Sequence, residues 1–201
     1  MLDADLGLPN VARSEFIVGG QKSGKSRRAE DLARSWLARA GGHRAVLIAT
    51  ARADDAEMSR RISRHRLDRA QRIPALVTVE EPVELAAAIR LHSQADTMVV
   101  VDCLTLWLTN LMWCEHARAA PAAPTLADPV GATAALLDAI TGAPGPVVVV
   151  SNEIGLGVVP MGQEVRAFVD ALGTLNQRVA GFCQRATLMV AGLPLSLKSA
   201  P

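Results

Sequence analysis

Apolar residues in this chain fall into short unbroken runs separated by stretches with helical spacing. The runs are Glu15 to Val18, Ala45 to Ala49, Thr97 to Val101, Pro146 to Val150 and Thr187 to Ala191. Each reads as a buried strand rather than one with a wet face, because apolar residues do not alternate with polar ones. Ala75 to Val79 and Leu195 to Leu197 are weaker candidates for strands. Between the runs, Ser26 to Ala40 places Ala29, Leu32, Ala33, Trp36, Leu37 and Ala40 on a broad apolar face, and Gly41-Gly42 stops it. Asp54-Asp55 opens another helix, with acids where the dipole favours them. On it Met58, Ile62 and His65 share one face, while Arg60, Arg61, Arg64 and Arg66 fan out around the rest. Further helices are expected over Val83 to Leu91, Leu104 to about Arg118, Gly131 to Thr141, and within Gly162 to Arg185. Ala119 to Pro129, rich in Ala and Pro, reads as a loop. Met1 to Ser14 lacks periodicity and reads as a loose extension, with residues 15–201 forming one domain.

Apolar strands alternating with helices predict an α/β fold, a mostly parallel sheet with helices on both faces. Ligands of such sheets sit at the carboxyl ends of the strands. Those ends carry Gly19, Thr50, Asp102 and Ser151-Asn152-Glu153, which should converge on one cleft.

The first strand runs into Gly19, Gly20, Gln21, Lys22, Ser23, Gly24, Lys25 and Ser26, a G-x-x-x-x-G-K-S loop with a helix behind it. That is the phosphate-cradling P-loop and predicts a P-loop NTPase type of fold. Backbone amides and the helix dipole would bind phosphate oxygens. Lys25 would reach the β- and γ-phosphates, and the Ser26 hydroxyl would hold Mg2+. Asp102, closing the run Met98 to Val101, is the candidate second ligand for Mg2+ or its water. Glu153 follows a similar strand. It suits a metal ligand, a base on a substrate hydroxyl, or simply a surface acid.

Composition narrows the classes. Over 201 residues, half of them apolar, the net charge is +1 and there is no tyrosine, which gives no electrostatic or stacking case for nucleic acid. Cys103, Cys114 and Cys183 are widely spaced and odd in number, as for reduced thiols in the cytoplasm. Met1 to Ala12 does not read as a signal peptide, and Leu104 to Trp113 is too short to span a membrane, so no membrane insertion is expected. His43, His92 and His116 lack partners at metal-ligand spacing.

His65 admits two readings. On an apolar helix face it is an ordinary packed residue. Aimed at the cleft, its neutral imidazole is a nucleophile for phosphorus, with nearby arginines neutralising phosphate oxygens.

The segments GGQKSGKSRRAE from Gly19, LIATARADDAEMSRRISRHR from Leu47, TVEEP from Thr78, VVVDCLTLWLTNLM from Val99, VVVVSNEIGLGVVP from Val147, LNQRVA from Leu175 and VAGLPLSLK from Val190 resemble, in order, one family. It is the bifunctional adenosylcobinamide kinase / adenosylcobinamide-phosphate guanylyltransferase of cobalamin biosynthesis. The resemblance implies two reactions. ATP or GTP phosphorylates adenosylcobinamide, and GTP then donates GMP through an enzyme histidine to adenosylcobinamide phosphate. It makes His65 the guanylylated residue. It places nucleotide contacts at Gly19 through Ser26, at Thr50, Ala51 and Arg52, at Arg66, Leu67, Asp68 and Arg69, and at Glu80 and Asp102. It also implies a homo-oligomer, for which the apolar segment Leu104 to Trp113 is a candidate contact. The stretch from Leu67 to Leu76 departs from the family: it is about three residues longer, and Leu76 replaces a tryptophan. The alternative from the residues alone is a plain P-loop small-molecule kinase or NTP hydrolase without a covalent intermediate.

Overall fold

A computed structural model describes residues 9–53, 56–113 and 129–199, without the side chains of residues 57, 61, 65 and 129. In chain order the elements are β1 (Ser14–Gly19), α1 (Lys25–Arg39), β2 (Arg44–Ala49), α2 (Ala56–Arg72), β3 (Leu76–Glu80), α3 (Leu85–His92), β4 (Thr97–Asp102), α4 (Leu104–Trp113), α5 (Pro129–Gly142), β5 (Val147–Asn152), α6 (Gln163–Phe182), β6 (Arg185–Val190) and β7 (Leu193–Lys198). The strands form one seven-stranded sheet in the order β3-β2-β4-β5-β1-β6-β7. All neighbours are parallel except β6 and β7, which form an antiparallel hairpin. The fold is α/β of the P-loop type, as the alternation of runs and helices together with the loop from Gly19 to Ser26 predicts.

Successive strand residues point to opposite faces, and two cores follow. Phe16, Val18, Val99, Val101, Val147 and Val149 pack under α3, α4, α5 and α6. Ile17, Met98, Val100, Val148 and Val150 pack under α1, joined by Ile73 beyond the end of α2. Burial on both faces explains why these strands read as continuous apolar runs.

Buried Glu15 is the exception within β1. It sits in the strand flanked by β5 and β6, and it is ion-paired with Arg28 of α1 and Arg185 of β6, both at 3.0 Å. The Thr187 hydroxyl donates a third bond at 2.9 Å. A charge so buried is tolerable only with such partners.

Several expectations shift. Residues 9–13 are tied to the body rather than loose: the Ser35 hydroxyl donates to the Pro9 carbonyl at 2.8 Å, and Arg13 donates to the carbonyls of Ala143 and Pro144. The last long helix ends at Phe182, because Cys183 is extended and Arg185 begins β6. The helix expected from Gly131 starts at Pro129, a residue well suited to a first turn. Leu104 to Trp113 is not an exposed assembly surface, since Leu104, Trp107, Leu108 and Leu111 lie in the core. Of that segment Trp113 is exposed, and exposed apolar side chains group instead at Leu156, Val158, Val159 and Met161 after β5 and at Leu193, Leu195 and Leu197 on β7. Cys103 and Cys183 are buried free thiols. Cys114, His116, Asp54-Asp55 and all but the last residue of the loop expected over Ala119 to Pro129 lie outside the described residues, and Pro129 itself opens α5.

Candidate functional site

The parallel strands deliver their carboxyl ends to one edge. Strand register sets Gly19 beside Asn152, and Asp102 beside both Ala49 and Val150. Side chains then lock these ends together. The Thr50 hydroxyl, fully buried, donates to the Cys103 carbonyl at 2.7 Å and accepts the Cys103 amide at 2.9 Å. The Thr50 amide donates to the Asp102 carbonyl at 3.1 Å. Asn110 of α4 donates to the carbonyls of Thr50 and Pro82 at 2.8 and 2.9 Å. The Thr105 hydroxyl accepts the Asn152 amide at 2.9 Å.

The loop after β1 has the backbone its sequence demands. Gly19 has φ 156°, and a Cβ there would meet the Met189 carbonyl oxygen at 2.4 Å. Gly24 is left-handed at φ 101° and caps α1, and a Cβ on it would press on the Gly192 α-carbon at 3.2 Å. The loop is braced from both flanks. The Gly192 amide donates to the Ser23 carbonyl at 3.0 Å, and the Glu153 amide donates to the Gly19 carbonyl at 3.0 Å. The brace at Gly192 is the tip of the β6–β7 hairpin, where Ala191 (φ 51°) and Gly192 (φ 81°) make a tight turn with both φ positive.

Lys25 is buried, and its Nζ donates to the Gly20 carbonyl at 2.6 Å. Burial lowers its pKa below the ordinary lysine value, while Cys103 and Asp102 nearby act in the opposite sense. Burial, with Asp102 beside it, pushes the Cys103 thiol up to about 11, so it stays protonated at neutral pH. The Ser23 hydroxyl is buried without a hydrogen-bond partner inside the loop. An orphan donor in a loop at a helix N-terminus suits an anion that brings its own acceptors.

Mg2+ fits this end of the sheet. Ser26 and Asp102 offer hard oxygen donors, and Asp102 lies close enough to Lys25 to act on its charge. Mg2+ takes few protein ligands and fills its remaining positions with phosphate and water. No cluster of three or more His, Cys, Asp or Glu suited to another metal occurs among the described residues.

A second group of predicted residues gathers around α2 and β3. Arg66 of α2 forms an exposed ion pair with Glu80 at the end of β3. Arg69 is buried, and its Nε lacks a hydrogen-bond partner. Leu67 and Asp68 are exposed. Position 65 lies in α2 between half-buried Ile62 and buried Arg69. Ala51 and Arg52 are half-buried just beyond the Thr50 lock. Glu153 is half-buried, with Oε1 accepting the Gly155 amide at 2.7 Å, so that oxygen holds its own loop.

Sequence reasoning passed over three residues. Glu30 of α1 is buried, and Arg72 of α2 reaches it at 3.1 Å. Its signal was an acid adjoining the apolar face of the P-loop helix. Asn110 and Thr105 anchor strand ends, and their signal was a polar residue within an otherwise apolar helix.

Comparison with known proteins agrees with this geometry. The family described as "CobU: Cobinamide kinase / cobinamide phosphate guanyltransferase" matches residues 15–197. A bifunctional adenosylcobalamin biosynthesis protein, CobP of Pseudomonas aeruginosa, is 46% identical over 187 residues, which is 93% of this chain and 98% of that protein. The corresponding protein CobU of Escherichia coli is 31% identical, over 91% of this chain and 98% of its own length. The flagellar accessory protein FlaH from Methanocaldococcus jannaschii has a solved structure that aligns with a TM-score of 0.49 and 12% identity, covering 96% of this chain and 80% of that one. The braced P-loop, Asp102 at the end of β4 and a family match spanning nearly the whole chain have one outcome: this chain belongs to the cobinamide kinase / cobinamide phosphate guanyltransferase family.

Proposed function

We propose that a single cleft, at the carboxyl ends of β1, β2, β4 and β5, carries both reactions of the family. The observation that bears most weight is Lys25, held buried against the Gly20 carbonyl and next to Asp102. A lysine placed there has no structural use that a smaller residue would not serve, but it matches the charge of a bound triphosphate.

In the first reaction, the hydroxyl oxygen of the aminopropanol arm of adenosylcobinamide attacks the γ-phosphorus of ATP or GTP. The bond from γ-phosphorus to the bridging oxygen breaks, the hydroxyl proton passes to a base, and the nucleoside diphosphate leaves. The loop amides and Lys25 hold the phosphate chain and offset charge developing on its oxygens. Ser26 and Asp102 would hold Mg2+, which supplies further charge neutralisation when bound.

In the second reaction, an imidazole nitrogen of His65 attacks the α-phosphorus of GTP, and the bond to the bridging oxygen breaks to release pyrophosphate. A phosphate oxygen of adenosylcobinamide phosphate then attacks the guanylyl-histidine, and His65 leaves. Dividing one difficult displacement into two is the usual gain of a covalent route. Arg66, Arg69 and Glu80 stand on the elements around α2, where they would position the GMP moiety, with Ala51 and Arg52 at the neighbouring strand end.

The test is GTP labelled in its α-phosphate. The protein should acquire acid-labile label, and His65→Ala should lose it while retaining kinase turnover. A normally labelled His65→Ala protein would remove His65 from the mechanism and favour a plain P-loop kinase.

We also infer a cytoplasmic homo-oligomer. The exposed Leu156, Val158, Val159 and Met161, close together in the chain, support assembly, since exposed apolar side chains gain by meeting a partner. No helix among the described residues is long and apolar enough to cross a membrane. Sedimentation of a Leu156→Ser/Val158→Ser/Met161→Ser variant should show smaller particles than wild type, and an unchanged particle would count against this surface.

A further inference from the structure

The histidine helix is held to the body in an unequal way. On its outer side, Arg66 pairs with Glu80, but both side chains are about half exposed, at 50% and 49%, so water screens the pair. On its inner side the acid is buried, while its partner Arg72 is 34% exposed. Glu30, on α1 one turn beyond Ser26, has its side chain only 4% exposed. Arg72 of α2 reaches it at 3.1 Å. Arg69, the one buried residue among the described side chains of α2, acts on the same carboxylate through its charge. The oxygen nearer Arg72, Oε2, makes no hydrogen bond, since Arg72 donates to Oε1 at 3.4 Å, and the Nε of Arg69 is likewise buried without a hydrogen-bond partner. A carboxylate this buried resists ionisation, and facing guanidinium groups oppose that cost. The charge on Glu30 and the position of α2 therefore depend on each other.

We propose that Glu30 is a positioning residue for guanylyl transfer: its carboxylate, with Arg69 and Arg72, sets the histidine helix α2 against the P-loop helix α1. This rests on the assignment of His65 as the guanylylated residue. The kinase step should not need the contact. The P-loop is braced by Glu153 just after β5 and by Gly192 at the tip of the β6–β7 hairpin, and neither brace is made by α2. The attack by His65 on the α-phosphorus does need it, because the attacking group is carried by one helix and the phosphate chain is held at the end of the other. Small errors in such placement cost rate steeply.

The test uses full-length Glu30→Gln, Arg72→Met and the double variant, measured for kinase turnover, guanylyl-enzyme formation from α-labelled GTP, and backbone hydrogen exchange. Each single change should raise exchange in residues 56–72 and leave 14–40 as protected as in wild type. Labelling should fall roughly tenfold to a hundredfold while kinase turnover stays near wild type. The double variant should fall no more than about twofold below the worse single one, since both remove the same contact. Unchanged exchange in α2, a parallel fall of both activities, or additive losses would overturn the proposal. Unlabelled wild-type protein would instead sink the His65 assignment. That outcome is distinguishable, because the variants would still differ from wild type in exchange.

Discussion

The amide of Gly192 and the carbonyl of Ser23 are 3.0 Å apart, so the last hairpin of the chain supports its first loop. At Gly192 the brace depends on φ 81°, which a side chain resists at a cost of about 1–2 kcal/mol. Gly192→Val should therefore weaken triphosphate binding although residue 192 lies outside the loop itself. Titration calorimetry would show it, and unchanged affinity would mean the loop holds its shape unaided.

Within the loop, two adjacent glycines should behave differently. A Cβ on Gly19 would lie 2.4 Å from the Met189 carbonyl oxygen and 2.8 Å from the Ser23 hydroxyl, whereas one on Gly20 meets nothing within 4 Å. Gly19→Ala should abolish nucleotide binding and lower the melting temperature, while Gly20→Ala should fold normally. Equal melting temperatures for the two would contradict the packing.

Thr50 predicts a loss that looks catalytic but begins in the scaffold. Its hydroxyl makes two buried bonds to Cys103, so Thr50→Val strands the Cys103 amide, while the Cys103 carbonyl keeps the Trp107 amide at 3.2 Å. An unsatisfied buried amide costs about 1–3 kcal/mol. Denaturant unfolding should register that loss, and kinase turnover should drop because Asp102 adjoins the displaced segment. Thr50→Ser should recover much of both.

Lys25 gives a pH dependence with a definite sign. Burial lowers its pKa, so in the folded, nucleotide-free protein it sheds its proton below the ordinary lysine range. Nucleotide affinity should fall as pH rises through that window, because the neutral amine no longer opposes phosphate charge. Across the same window the unfolded chain holds the additional proton, so raising pH favours the folded state. Affinity measured against pH should lose this inflection in Lys25→Arg. Its persistence there would assign it to another group.

Much of this site was legible before any coordinates. The apolar runs marked the central strands, because parallel strands covered on both faces leave no polar alternation. The P-loop and Asp102 were legible because phosphate chemistry fixes residue types at fixed spacings. Glu30 was not, because its meaning comes from Arg69 and Arg72, which are distant in sequence and meet it only through packing. Thr50 was read as a nucleotide contact, yet its hydroxyl is spent on Cys103. The exposed apolar surface was sought on Leu104 to Trp113, but hydropathy cannot distinguish a helix buried by its neighbours from one left bare. The helix expected within Gly162 to Arg185 runs from Gln163 to Phe182, and nothing local marks Cys183 as the place where the chain turns extended.

The buried Glu15 network has a consequence for how the chain comes into being. Glu15 belongs to a strand that needs β5 on one side and β6 on the other, and its charge is matched partly by Arg185. As a ribosome makes the protein, residues 19–26 emerge early, but the partners that fix them are encoded near the carboxyl end. The nucleotide site is thus written first and completed last, and a nascent chain released before Arg185 would carry the whole P-loop sequence without a working P-loop.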